Sequence, residues 1–177
     1  VIKEYGTFLK NRNVYLGIDQ SYTGFAITAL NDEGYKTTVY KDPQSGILRL
    51  ANIQKHLKNS LDLYSVIDVA MEGYAYGSQL SNMLGELGGM VKLTLFEKNL
   101  YPAIVAPTML KKYVTGKGKG ISKSQMLLNT YKKWNIEFDD DNAADSYGLA
   151  HLIAGKGSLA YEKEIYIKLL DPKYREK

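Results

Sequence analysis

The chain has 177 residues, 45% of them hydrophobic, which suits one α/β-sized domain with an ordinary core and excludes a disordered chain. It has no cysteine, which excludes disulfides and thiolate metal sites and fits a reducing, intracellular setting. The formal net charge is only +4, no apolar run reaches the ~18 residues of a membrane span, and the first twelve residues lack a signal-peptide core.

The first thirteen residues read as a short N-terminal extension. Val14 to Asp19 then reads as a buried strand ending in a carboxylate. Gly24 to Leu30 is a second strand, Asn31 to Gly34 a turn, and Tyr35 to Tyr40 a third strand rich in Thr, Val and Tyr. Tight turns between short strands predict an antiparallel meander. Apolar residues at Ile47, Leu50, Ile53 and Leu57 predict a helix over Ser45 to Asn59. Ser65 to Glu72 is a fourth strand, again closed by a carboxylate. Leu84, Leu87, Val91 and Leu95 mark a helix from Gln79 to Asn99. Pro102 to Ala106 is a fifth strand. Helices follow over Thr108 to Val114, Ser122 to Trp134 with Ser122 as N-cap, and Asn142 to Ala154. From about residue 156 the chain is charged, and it reads as a weak helix with a mobile end. The expected architecture is one α/β domain over 1–177. Its five-stranded mixed sheet has three antiparallel strands, then two parallel to the first, with helices on the faces.

Three carboxylates stand where burial is costly unless they bind something. Asp19 closes the first strand and Glu72 the fourth. Asp145 lies one turn into a helix among Ala143, Ala144 and Leu149. The neighbouring Asp139, Asp140 and Asp141 suit a helix N-terminus, which does not account for Asp145. Asn142 and Asp141 stand three and four residues before Asp145, so either shares a face with it. Hard oxygen donors with no cysteine predict Mg2+, with Mn2+ as a substitute, rather than zinc. Between Glu97 and Glu137 there is no acidic residue, while Lys98, Lys111, Lys112, Lys117, Lys119, Lys123, Lys132 and Lys133 all fall there. That stripe predicts a phosphate-binding surface; a solvated basic face is the alternative. His56 is expected in solvent, and neither His56 nor His151 is assigned a metal. Gly85 and Gly89, four apart, either pack on their own sheet or let another backbone approach.

These segments, in order, resemble the RuvC family of Holliday junction resolvases, of the ribonuclease H-like fold. The likeness rests on Gly17-Ile18-Asp19 with Thr23-Gly24-Phe25-Ala26, Ala70-Met71-Glu72, Leu84 to Gly89, Pro107 to Gly118 with Lys111 and Thr115-Gly116, and Ala143-Ala144-Asp145. The small virus-encoded branch looks nearest. The resemblance implies a homodimer, in a bacterial cytoplasm or an organelle, that binds branched DNA, four-way junctions above all. It would nick paired strands with two Mg2+ ions per site and leave 5′-phosphate and 3′-hydroxyl ends. It makes Asp19, Glu72 and Asp145 metal ligands, with Asn142 or Asp141 as the fourth. It makes Lys111 and Lys123 phosphate contacts at the site, with Lys112, Lys117 and Lys119 further along the DNA. Tyr74 or Tyr76 would be an aromatic wedge at the crossover. Three alternatives stand beside it: a nuclease for flaps or forks, a catalytically impaired junction binder, and an actin-type ATPase, which needs two domains.

Overall fold

The computed structural model describes residues 1–73 and 81–176. Its centre is a mixed sheet of β1 (Ile2–Gly6), β2 (Asn13–Asp19), β3 (Phe25–Asn31), β4 (Gly34–Tyr40), β5 (Ser65–Glu72) and β6 (Ala103–Val105), ordered β1-β4-β3-β2-β5-β6. The sheet therefore has six strands rather than the expected five. The added strand is β1, antiparallel to β4 from Ile2↔Tyr40 to Gly6↔Lys36. It is an edge strand with almost every side chain exposed, held by backbone pairing and by Tyr5, which packs on Phe138 and donates to Asp139, so no apolar alternation announces it. The meander β2-β3-β4 is antiparallel, and β5 and β6 run parallel to β2, as expected.

Alternation along β2 sorts the two layers. Val14, Leu16 and Ile18 join Val69 and Met71 in a core with α1 (Gly46–Leu63) and α2 (Ser81–Phe96), through Ile53, Leu57, Leu87, Val91 and Leu95. Tyr15, Gly17 and Asp19 face the other way, towards α5 (Asp141–Ile153). Gly17 is required there: a Cβ would lie 2.0 Å from the Ser146 carbonyl oxygen and 2.4 Å from the Ala150 nitrogen. The helix backbone thus rests directly on the strand, two residues before Asp19 and one after Asp145. A buried hydroxyl chain fixes it further, with Thr28 Oγ1 2.7 Å from Thr37 Oγ1 and 2.8 Å from Ser146 Oγ.

Two more helices, α3 (Pro107–Thr115) and α4 (Lys123–Trp134), pack beside α5, the latter opened by a capping box at Ser122 and Gln125. The weak helix expected after residue 156 is present, and the segment after it, expected to be a mobile end, is docked instead. Helix α6 (Ala160–Leu169) buries Glu162, Ile165 and Leu169, and a short 3-10 turn covers Pro172–Tyr174. Arg175 then bridges Ala103 of β6 and holds Asp68 through two bonds of 2.5 and 2.8 Å. A charged composition hides this, because the anchoring is backbone pairing plus one bidentate ion pair. His56 also departs from expectation: it stacks on Tyr40 and bonds Thr38, and burial lowers its pKa.

Candidate active site

Asp19 and Glu72 emerge at the C-terminal ends of neighbouring parallel strands. The ladder runs Gly17↔Ala70 and Ile18↔Met71, so the two carboxylates leave on one face. Helix α5 lays Asp145 across them. One oxygen from each of Asp19, Glu72 and Asp145 lies within 4.8 Å of the others. The cleft above them is about 380 Å³ and is also lined by Gln20, Tyr22, Leu84, Pro107, Lys123, Asp141 and Asn142.

The electrostatics are those of a site short of positive charge. Burial, with the charges of Glu72 and Asp145, raises the Asp19 carboxyl well above its ordinary value. Burial also raises Glu72, against a lowering bond from Asp19 and the nearby Lys111 charge. Burial, Glu72 and Asp141 push Asp145 up to about 8, against Lys111 and Lys123. Asp145 Oδ1 is buried with no hydrogen-bond partner among the described residues. An unpaired buried oxygen amid three carboxylates is what a divalent cation satisfies.

This has a testable pH signature. A carboxyl raised in the fold binds its proton more tightly folded than unfolded. The stability it contributes is whole below its unfolded pKa and is lost as pH rises to the folded one. For Asp145 the window runs from 3.8 to about 8. With chelator present, the thermal midpoint should therefore fall from pH 6 to pH 9. Added Mg2+ should restore it most at the upper end. A cation-free midpoint that stays flat over that range would contradict the buried cluster.

The other anticipated residues fall into place unequally. Lys123, in the first turn of α4, pairs with Asp141 at 2.5 Å and its side chain is 81% exposed. Lys111 and Lys112 are half-buried on α3, and Lys117 and Lys119 are exposed on the loop that follows. Gly116 ends α3 at φ 80° and turns that loop back. Two lysines leave the predicted stripe: Lys98 pairs with Asp62, and Lys133 is buried against Glu162. Asp140 caps α5 by accepting from the Asn142 backbone, and pairs with Lys41 at 2.8 Å. Asn142 Nδ2 donates to Asp140 at 3.0 Å, which turns the carbonyl oxygen of that amide away from Asp140. Tyr74 and Tyr76 lie outside the described residues. At Gly85 and Gly89 an added Cβ meets nothing within 4 Å among the described residues, so neither packs on the sheet. Sequence reading missed Gln20 and Tyr22 as cleft walls; their only signal is adjacency to Asp19.

No family model matches the chain. A crossover junction endodeoxyribonuclease RuvC from Pseudothermotoga lettingae is 24% identical over 147 residues, covering 77% of this chain and 91% of that protein. The chain is a homologue of RuvC. Solved structures agree on the fold. Thermus thermophilus RuvC superposes with a TM-score of 0.65 at 19% identity, over 92% of this chain and 98% of that one. The same protein in complex with Holliday junction substrate gives 0.63 at 17% identity, over 88% and 95%. The yeast mitochondrial Holliday junction resolvase gives 0.53 at 17%, over 93% and 82%. No helix among the described residues is long and apolar enough to cross a membrane.

Proposed function

We propose that the chain is a metal-dependent endonuclease that resolves four-way DNA junctions, acting as a homodimer with the whole of 1–177 as one nuclease domain. The observation that carries this reading is the convergence of Asp19, Glu72 and Asp145 in a homologue of RuvC. All donors are hard oxygens, which favours Mg2+ with Mn2+ substituting. Asp19, Glu72 and Asp145 would hold the cations, each offering a carboxylate oxygen. Asp141 is engaged by Lys123, whereas the Asn142 carbonyl oxygen is the end of its amide turned away from Asp140, so we assign the fourth ligand to Asn142. When bound, two such cations supply activation of the attacking water and neutralisation of the leaving oxygen.

The chain's own residues set the rest. Hydrolysis adds water to phosphorus and breaks the bond to the 3′ oxygen, which takes a proton and leaves as hydroxyl. The 5′ side keeps the phosphate. Lys111, close enough to lower both Glu72 and Asp145, balances carboxylate charge from the α3 side. Lys123 neutralises Asp141 and offers its exposed ammonium to a backbone phosphate. Lys112, Lys117 and Lys119 continue the track away from the cleft. Gly85, Gly89, Leu93 and Phe96 form an open stripe on α2, with the latter two side chains 57% and 56% exposed. A second copy seated there would place two clefts about a twofold axis, matching the near-twofold symmetry of a junction.

Binding should be strongly salt-dependent, since lysines on phosphates release counterions. With chelator present, log affinity for an immobile four-way junction against log salt should have a slope of about −4 or steeper, for five lysines. A slope near zero would remove the lysine track from the interface.

A further inference from the structure

We infer that Gln20 is a positioning residue: its side chain staples the ends of β2 and β5 and so sets the separation of Asp19 and Glu72 for cation binding. The inference rests on the metal-centre reading above. The paired residues of the two strands end at Ile18↔Met71, just before the carboxylates begin. Beyond that point β2 and β5 share no further ladder pair. Gln20 is 5% exposed, and its Nε2 donates to the Glu72 carbonyl oxygen at 2.6 Å. On the other side, the next backbone nitrogen, that of Gly73, donates to Val105 of β6 at 2.8 Å. The peptide between Glu72 and Gly73 is therefore pinned from both neighbouring strands.

The chemistry of the amide fixes its direction. Turned over, it would set Oε1 against the Glu72 carbonyl oxygen, an acceptor facing an acceptor. As it stands, Oε1 is buried with no partner among the described residues. Burying an unpaired oxygen is unfavourable, and a Met or Leu filling the same space would avoid it. A residue chosen for packing alone would not be Gln. Asn is one methylene too short to span the gap, and Glu would add a further acid to a cluster already short of positive charge. The bond Gln20 supplies acts where the strands end and the metal ligands start.

The test is Mn2+ affinity by calorimetry, without DNA, for wild type, Gln20→Met and Gln20→Asn. Losing one such bond should raise the Mn2+ dissociation constant about tenfold in both variants. The thermal midpoint in chelator and junction affinity in chelator should stay close to wild type. Cleavage by the variants should recover at correspondingly higher Mg2+. If Gln20→Met does not fold, the shorter Gln20→Asn carries the same measurement. Dissociation constants within twofold of wild type would overturn the staple, as would a lowered midpoint with unchanged affinity, the mark of packing alone. Wild type that takes up no Mn2+ would overturn the metal-centre reading and the staple with it.

Discussion

Asp19→Asn is expected to lower junction cleavage by at least about a thousandfold, well beyond the roughly 10–100-fold of an outer partner. It should leave junction binding in chelator intact and raise the thermal midpoint of the cation-free protein. The three effects have one cause. Asp19 is 5% exposed at the end of a central strand, and its charge is opposed by burial and by Glu72 and Asp145. Such a carboxylate is unfavourable to the fold unless a cation shares it. Asn keeps the shape and removes the charge, so repulsion falls while the ligand set loses one carboxylate. The proposed DNA-contacting lysines lie on α3, the loop after it and α4, on elements separate from β2. Measured together by melting, binding and cleavage, loss of activity with gain of stability marks a ligand. Loss of both activity and stability would mark Asp19 as a structural residue and contradict the assignment.

Glu162→Ala is expected to destabilise the protein by about 3 kcal/mol, the low end for stranding a buried charge. At this chain length that is a fall of roughly 6–12 °C in the thermal midpoint. Glu162 is 1% exposed and contacts the Lys133 ammonium, whose side chain is 17% exposed. Its other oxygen accepts from the backbone nitrogens of Ser158 and Leu159 at 2.7 and 3.1 Å, which opens α6. Lys133 also donates to the Tyr113 carbonyl oxygen at 2.5 Å, tying α4 and α6 to the end of α3. Burial holds Lys133 below its ordinary pKa despite Glu162. The intact pair therefore adds little net stability, and the loss comes from the charge left behind. Adding Lys133→Met to Glu162→Ala should restore most of the midpoint in thermal melts. A single-variant fall under about 2 °C would contradict this account.

The two acidic strand ends were legible because each closes an apolar run, and a carboxylate there needs a reason to be buried. Asp145 was legible for the same reason, among alanines on a helix. Helix and strand types followed from periodicity, as with Ser65–Glu72, whose bounds the structure reproduces. What stayed hidden depends on contacts that carry no period. β1 is held by backbone pairing to β4 and by the contacts of Tyr5 with Phe138 and Asp139, none of which carries an apolar period, so its polar sequence looked like an extension. Glu162 sits in a run of charged residues, and only the fold shows that it, not Glu164, turns inward against Lys133. Gln20 has no pattern of its own, and its role exists only because β5 ends beside it. The lysine stripe was read as continuous from sequence, yet Lys98 and Lys133 are committed elsewhere by ion pairs.

The central claim is most directly tested by cleavage of a synthetic four-way junction beside a linear duplex of the same sequence, each with Mg2+ and with chelator. The account predicts paired, symmetric nicks in opposing strands of the junction, present with Mg2+ and absent with chelator, and an intact duplex. Tight junction binding without nicks, or duplex cut as readily as junction, would contradict it.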